Sequence, residues 1–113
     1  MEKILIVEDT PEFQLLTRSA LGQRYDLTIV ATVAETIALL QENRFDLLLL
    51  DVTLPDGDGF KLCATLRSQE KTRLIPVIFL TSRSELTDKL LGFSLGADDY
   101  IVKPFEPLEL QAR

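Results

Sequence analysis

The sequence lacks histidine altogether and contains a single cysteine, Cys63, among its 113 residues. The absence of histidine excludes a Ser-His-Asp or Cys-His catalytic unit and any histidine-ligated metal site within this chain. One cysteine cannot form an intrachain disulfide, and it leaves no CxxC pair for a metal or redox site. We interpret Cys63, which falls on a predicted helix, as a small packing residue rather than a reactive thiol.

Positive charge is scarce as well, with 12 Lys and Arg against 18 Asp and Glu and a formal net charge of −6 at pH 7. A nucleic-acid footprint needs clustered positive charge, so we expect this domain to make no nucleic-acid contact. The longest apolar stretches, 47–50 and 74–80, fall well short of the roughly 18 residues that a membrane-spanning helix needs. The N-terminus shows no cleavable signal architecture. With 46% hydrophobic residues, the sequence predicts a globular, soluble, cytoplasmic domain without membrane contact.

Short apolar runs recur along the chain, and each has the length of a β-strand. Several of them are apolar without alternation, which is typical of strands buried on both faces of a parallel sheet that helices cover. The predicted strands are 4–7, 27–30, 47–50, 77–80 and 100–102.

Amphipathic segments typical of helices separate these runs. Thr10 can cap a helix that has Pro11 at its first position, and Thr32 with Glu35 fits a capping box. The apolar positions expected to face the core are Leu16, Ala20 and Leu21 in the first helix, Ala34, Ile37, Ala38 and Leu40 or Gln41 in the second, and Phe60, Ala64 and Leu66 in the third.

The alternation of strand and helix predicts a doubly wound α/β fold, with a five-stranded parallel sheet in the flavodoxin-like order 2-1-3-4-5. A fourth helix is expected at 86–95, and a fifth, opened by Pro107, at 108–113. We expect a single domain over residues 1–113. Because the fifth helix is short, we also expect it to be truncated, with this chain as the front of a longer protein.

Charged and hydroxyl side chains follow four of the predicted strands at their carboxyl ends. Glu8 and Asp9 follow the first strand, Asp51 the third, Thr81 the fourth and Lys103 the fifth. In a doubly wound sheet the functional crevice lies beyond these ends, at the point where the strand order reverses. We therefore expect three carboxylates, a hydroxyl and an ammonium to converge at one edge of the sheet.

That combination of groups favours phosphoryl transfer to a carboxylate. Crowded carboxylates resist ionisation unless a cation compensates them, and Mg²⁺ suits an all-oxygen ligand set. An aspartate beside Mg²⁺ and a lysine is a competent nucleophile for phosphorus. Lys103 can pair with Asp51 or with a phosphoryl oxygen, and Thr81 can donate a hydrogen bond to the same group.

These residues resemble the receiver domain of bacterial response regulators over essentially the whole chain. The matching motifs are Glu8-Asp9, Asp51 within Leu-Asp-Val-Thr-Leu-Pro-Asp-Gly, Thr81-Ser82 and Lys103-Pro104-Phe105. The resemblance implies that Asp51 accepts a phosphoryl group from a phosphohistidine of a sensor histidine kinase. It implies a Mg²⁺ site made by Glu8, Asp9, Asp51 and the backbone carbonyl of Thr53. It further implies that Thr81 and Lys103 contact the phosphoryl oxygens and that the peptide bond between Lys103 and Pro104 is cis.

The resemblance also implies a switch, in which Thr81 moves toward the phosphoryl group and Tyr100 turns inward. The face built from helix 4, strand 5 and helix 5 then changes shape and supports phosphorylation-dependent homodimerisation. Within the family, Thr53 and Arg83 stand where side chains influence the lifetime of the phosphoryl group. The charged residues that the resemblance places on this dimer face are Lys89, Asp98, Asp99, Glu109 and Arg113. The segment after Lys103 resembles the branch that carries a C-terminal winged-helix DNA-binding domain, which would make transcription the output.

Other interpretations stay open at this point. A Mg²⁺-dependent phosphohydrolase also uses an aspartate nucleophile, but it places a second Asp two residues later, where this chain has Thr53. A pseudo-receiver that only binds proteins would lack an acid, the acceptor or the lysine. Gly57 and Gly59 are interpreted as turn residues, and the surrounding Asp-Gly-Asp-Gly resembles half of a calcium loop without its acid spacing. Glu8 replaces the Asp that is commoner in the family.

Overall fold

The computed structural model describes residues 2–82 and 99–103, and for residues 81, 82 and 99–103 it describes only the strand positions. The elements are β1 (Lys3–Val7), α1 (Pro11–Leu21), β2 (Asp26–Val30), α2 (Val33–Glu42), β3 (Leu47–Asp51), β4 (Thr53–Leu54), β5 (Gly57–Asp58), α3 (Gly59–Arg67), β6 (Val77–Ser82) and β7 (Asp99–Lys103). The helices predicted at 86–95 and 108–113 lie outside the described residues.

Five strands form the main sheet in the order β2-β1-β3-β6-β7, and all of its pairings are parallel. This confirms the predicted fold, since β6 and β7 are the fourth and fifth predicted strands. The two extra strands were not predicted. They are two residues each and form an antiparallel hairpin between β3 and α3, in which Thr53 pairs with Asp58 and Leu54 with Gly57.

The hydrophobic core lies on both faces of the sheet, which explains the unbroken apolar run in β3. Leu48 and Leu50 pack on the side that holds Phe60 of α3 and Leu40 of α2. Leu49 points to the opposite side. That opposite side also contains Ile4, Ile6, Ile78 and Leu80 from the sheet and Ala20 and Leu21 from α1. Because successive side chains of a strand alternate between faces, a strand that is covered on both faces needs apolar residues at every position.

The buried sides of α1 and α2 differ from those that the apolar pattern predicts, because each includes a threonine. In α2 the buried residues are Thr36 and Leu40, whereas Ala34, Ile37 and Ala38 are exposed, so the prediction for those three positions was wrong. Thr36 can be buried because its hydroxyl donates to the Thr32 carbonyl at 2.8 Å. In the same way, Thr17 of α1 is buried and donates to the carbonyl of Phe13 at 2.7 Å.

The N-termini of the first two helices differ in how they are capped. The Thr32 half of the capping box of α2 is confirmed, because the Thr32 side chain accepts the Glu35 N–H at 3.1 Å. The Glu35 carboxylate accepts the N–H of Ala31 at 3.3 Å, one residue before the N-cap, and the Thr32 hydroxyl at 3.0 Å. Thr10 occupies the N-cap position of α1, with Pro11 directly after it, but its side chain makes no capping bond. The position of Thr10 at the start of α1 was therefore predicted correctly, but the prediction that its side chain caps the helix was wrong.

Candidate functional site

Three carboxylates meet beyond the carboxyl ends of β1 and β3. Glu8 and Asp9 directly follow β1, and Asp51 is the last residue of the neighbouring strand β3. One carboxylate oxygen from each residue lies within 4.8 Å of the other two. Glu8 is 0% exposed and Asp51 is 6% exposed, while Asp9 is exposed. The prediction that these three residues come together is confirmed.

The Glu8 side chain is held where β1 turns into α1. Its Oε1 atom accepts the N–H of Thr10 at 3.0 Å. The Glu8 carbonyl accepts from the side-chain amide of Gln14, and the Glu8 N–H donates to the carbonyl of Val30 in β2 at 2.9 Å. These bonds fix the direction of the Glu8 carboxylate beside Asp51, although the residue lies outside regular secondary structure.

The backbone around Asp51 is bonded to three neighbouring segments. The Asp51 Oδ1 atom accepts the N–H of Thr53, the first residue of β4, at 3.3 Å. The Val52 N–H donates to the Leu80 carbonyl at 3.2 Å, and the Gly59 N–H donates to the Val52 carbonyl at 2.7 Å. The start of α3 is therefore tied to the residue that directly follows Asp51.

Gly59 allows this close approach. A Cβ atom at position 59 would lie 2.3 Å from the Asp51 carbonyl oxygen and 2.9 Å from the Val52 Cα. Both neighbours are backbone atoms, so neither can rotate away. The interpretation of Gly59 as a turn residue was incomplete, because the packing of α3 against the end of β3 also requires a residue without a side chain at this position.

Asp56 and Asp58 each bind a helix N-terminus. The Asp56 oxygens accept the N–H groups of Val33 at 2.7 Å and Ala34 at 3.1 Å, the first two residues of α2. Asp58 caps α3 by accepting the N–H of Phe60 at 2.7 Å. The bond from Val33 lowers the pKa of Asp56, assisted by the bonds from Ala34 and from its own N–H and partly offset by desolvation. Each aspartate binds its own helix N-terminus, in agreement with the poor match to a calcium loop.

The other predicted site residues are described by strand position. Thr81 and Ser82 end β6 and Lys103 ends β7, and the parallel pairing sets Ser82 beside Lys103 and Leu80 beside Asp51. All of these strand ends therefore lie at the sheet edge that carries Asp51. Tyr100 pairs with Phe79 in the register of β7, and Asp99 is the first residue of that strand. Arg83, Lys89, Asp98, Pro104, Glu109 and Arg113 lie outside the described residues, so the cis peptide and the dimer face stay predictions.

A model of the response regulator receiver domain family matches residues 4–113 of this sequence. The chain belongs to the response regulator receiver domain family. The regulatory protein VanRc of Enterococcus gallinarum is 42% identical over 113 residues, covering 99% of this chain and 48% of the relative. The transcriptional regulatory protein GltR of Pseudomonas aeruginosa is 41% identical over 111 residues, covering 97% of this chain and 46% of the relative. The receiver domain thus spans about half the length of the curated relatives it matches.

Solved structures show the same fold. A response regulator of Chloroflexus aurantiacus aligns with a TM-score of 0.93 and 35% identity, over 99% of this chain and 93% of that one. The receiver domain of a sensor histidine kinase of Pseudomonas aeruginosa aligns with a TM-score of 0.88 and 34% identity, over 98% and 92% of the two chains. That second structure holds a magnesium ion coordinated in its active site cleft.

The acidic cluster of this receiver domain suits such an ion. Three carboxylates within 4.8 Å of one another, two of them buried, supply the oxygen ligands that a hard divalent cation prefers. Buried carboxylates this close together repel one another unless a positive charge compensates them.

None of the helices in the part of the chain that the structure describes has the length and hydropathy of a membrane-spanning segment.

Proposed function

We propose that this receiver domain is a phosphorylation-controlled switch in which Asp51 accepts a phosphoryl group from a phosphohistidine on a sensor histidine kinase. The observation that carries the proposal is the meeting of Glu8, Asp9 and Asp51 within 4.8 Å. It is supported by the strand register, which ends β7 at Lys103 on the same edge of the sheet. The chain has no histidine of its own, so the phosphohistidine belongs to the partner.

The chemistry is a displacement at phosphorus. One Asp51 carboxylate oxygen forms a bond to phosphorus while the bond from phosphorus to the histidine nitrogen breaks, and that bond's electron pair stays on the imidazole. Glu8, Asp9, Asp51 and the backbone carbonyl of Thr53 would hold Mg²⁺, which supplies positive charge against the phosphoryl oxygens. Lys103 and Thr81 would contact the same oxygens, the first as an ammonium and the second as a hydroxyl donor. The N–H of Thr53 holds the Asp51 carboxylate in place.

The test is intact mass after incubation with a small acyl-phosphate donor and Mg²⁺. The wild type is expected to gain the mass of one phosphoryl group, and Asp51→Asn is expected to gain none because it lacks the nucleophilic oxygen. Asp26→Asn is a control for the loss of one carboxylate, since Asp26 is exposed and begins β2, at the end of the sheet opposite to Asp51. Undiminished labelling of Asp51→Asn would contradict the assignment.

For the response to phosphorylation we infer a population shift. The phosphoryl group attracts the Thr81 hydroxyl, Tyr100 fills the space that Thr81 leaves, and the dimer face then changes shape. New contacts from the phosphoryl group to Thr81 and Lys103 provide the bias between the two states. Thr81→Ala is expected to keep phosphorylation and lose phosphorylation-dependent dimerisation, which sedimentation of the labelled protein measures. Dimerisation of labelled Thr81→Ala at the wild-type level would contradict this coupling.

In the whole protein we propose that the switch controls transcription in the cytoplasm through a DNA-binding domain, for which this single domain would be the regulatory half. The names of GltR as a transcriptional regulatory protein and of MtrA of Mycolicibacterium smegmatis as a DNA-binding response regulator support this output.

We infer signalling rather than enzymatic turnover, with self-phosphotransfer and slow autodephosphorylation as the chain's own chemistry. Thr53 stands where an aspartate-nucleophile phosphohydrolase would have its general acid. Sustained hydrolysis of a chromogenic phosphate ester would favour the hydrolase instead.

A further inference from the structure

The hairpin of β4 and β5 is attached to α2 through the side chain of Asp56. Both Asp56 carboxylate oxygens accept N–H groups of α2, from Val33 at 2.7 Å and from Ala34 at 3.1 Å. The Gly57 backbone also lies close to the Val33 side chain, because a Cβ at Gly57 would be 2.9 Å from the Cγ2 of Val33. A two-residue ladder has little stability of its own, so this attachment restricts where the tip of the hairpin can lie.

The helix that receives Asp56 is fixed independently of the hairpin. Thr32 and Glu35 already cap its first turn from within the local sequence. At the other end, the Lys71 ammonium donates to the carbonyl of Gln41. The α2 helix is therefore a fixed support, and the bonds from Asp56 hold the hairpin against it.

The base of the same hairpin belongs to the phosphoacceptor site. Its first residue, Thr53, donates its N–H to the Asp51 carboxylate and carries the carbonyl proposed above as a Mg²⁺ ligand. Three residues along the chain from Thr53, in the turn of the hairpin, the Asp56 oxygens are bonded to α2. A rigid connection between these two points would keep the Thr53 backbone in one orientation.

We propose that Asp56 is a positioning residue of the phosphoacceptor site, which acts by holding the β4–β5 hairpin against α2 so that Thr53 presents its N–H and its carbonyl to Asp51 and to Mg²⁺. The inference rests on the proposed function of Asp51, and it adds a residue that touches neither the metal nor the phosphoryl group. It also implies reciprocity: an ion bound at the base should strengthen the bonds at the tip, because coupling between two binding events acts equally in both directions.

The experiment compares Asp56→Ala, Asp56→Asn and Thr32→Ala with the wild type. Thr32→Ala is the matched control, because it removes a cap from the same helix N-terminus without touching the hairpin. Glu70→Ala, which removes an exposed carboxylate three residues after the end of α3, controls for the change in net charge. Mg²⁺ is titrated into each protein with the amide NMR signals of Thr53 and Leu54 as reporters. Labelling by the acyl-phosphate donor is then measured as a function of Mg²⁺ concentration.

Asp56→Ala is expected to raise the Kd for Mg²⁺ roughly three- to tenfold, the factor that loss of one hydrogen bond of typical net strength produces. Asp56→Asn keeps one acceptor oxygen and should fall between Asp56→Ala and the wild type. Thr32→Ala and Glu70→Ala should bind Mg²⁺ as the wild type does, although Thr32→Ala unfolds at lower urea. In the wild type, Mg²⁺ should slow hydrogen exchange at the Val33 and Ala34 amides, and in Asp56→Ala it should not.

The inference would be overturned if Asp56→Ala bound Mg²⁺ as tightly as the wild type and lost as much stability as Thr32→Ala. Asp56 would then be a helix cap only. An equal rise in Kd for Thr32→Ala would overturn it too, since the cause would then be the helix and not the hairpin. Failure of the proposed function would be seen separately: the wild-type protein would bind Mg²⁺ in the titration but would not be labelled at Asp51. Absence of any Mg²⁺-dependent shift in the wild type would overturn both.

Discussion

Replacing Gly59 by alanine is expected to destabilise the fold and to slow phosphorylation of Asp51. A Cβ at this position would lie 2.3 Å from the Asp51 carbonyl oxygen, whereas real Cβ atoms essentially never come closer than 3.0 Å to a neighbour. Either α3 or the end of β3 must therefore move by at least about 0.7 Å. Because the contact is with the backbone of the acceptor itself, the movement reaches the phosphoacceptor site directly.

The size of the effect follows from two opposing contributions. Inserting a methyl group into a closely packed site costs about 1–3 kcal/mol. Alanine is a better helix former than glycine, which returns at most about 1 kcal/mol. Because the clash is with backbone atoms that cannot rotate away, the cost lies at the upper end of its range, and the expected net loss in the free energy of unfolding is about 2 kcal/mol. A loss of that size lowers the Tm of a domain this size by roughly 8 °C.

Urea unfolding gives the stability change, and the initial rate of labelling by an acyl-phosphate donor gives the effect on the site. Lys61→Ala is the matched control, since Lys61 is an exposed residue of the same helix and its replacement is expected to change stability by less than about 0.5 kcal/mol. If Gly59→Ala is at least as stable as the wild type and is labelled at the same rate, the close approach of α3 to Asp51 does not limit this site.

Three further predictions concern the core and the α2 cap. Leu48→Ala removes a side chain that is 0% exposed and should cost about 2–5 kcal/mol in urea unfolding. Leu15→Ala, at a position 69% exposed, should change stability by less than about 0.5 kcal/mol. Equal losses in the two variants would contradict the assigned core. Thr32→Ala should cost about 1 kcal/mol through the lost cap, and an unchanged unfolding midpoint would show that the cap contributes nothing. The folded-state pKa of Asp56 lies below its ordinary value of 3.8, so its stabilising contribution is complete well above that pH and is lost as the pH falls through the folded pKa. The stability difference between the wild type and Asp56→Ala should therefore be constant from pH 7 to about pH 5 and shrink toward pH 3, and a difference that grows on acidification would refute the sign.

The parallel sheet could be predicted because the apolar pattern of each strand is visible in its own short run of sequence. The run 47–50 has leucine at every position, and only a strand covered on both faces needs such a run. The acids at the strand ends could be predicted for the same reason, since parallel strands bring their carboxyl ends to one edge. Glu8, Asp9 and Asp51 follow directly from strand order and strand ends.

The features that sequence reasoning missed depend on contacts made after folding. Thr17 and Thr36 count as polar in a periodicity pattern, yet each is buried because its hydroxyl is satisfied by a carbonyl one turn earlier in its own helix. The role of Asp56 depends on two N–H groups 22 and 23 positions earlier in the chain. Its place before Gly57 indicates a turn, and that signal does not say where the carboxylate will bind.

The division of the core by the sheet has a consequence for how this domain tolerates change. Leu50 and Ile6 belong to separate groups of side chains, one packed under α2 and α3 and the other under α1. Substitutions that share no neighbours have free-energy effects that add, whereas substitutions in contact couple. Repacking mutations in different layers are therefore expected to be more nearly additive than mutations within one layer. The limit on combining mutations from both layers is the summed loss of stability, and not steric conflict across the sheet.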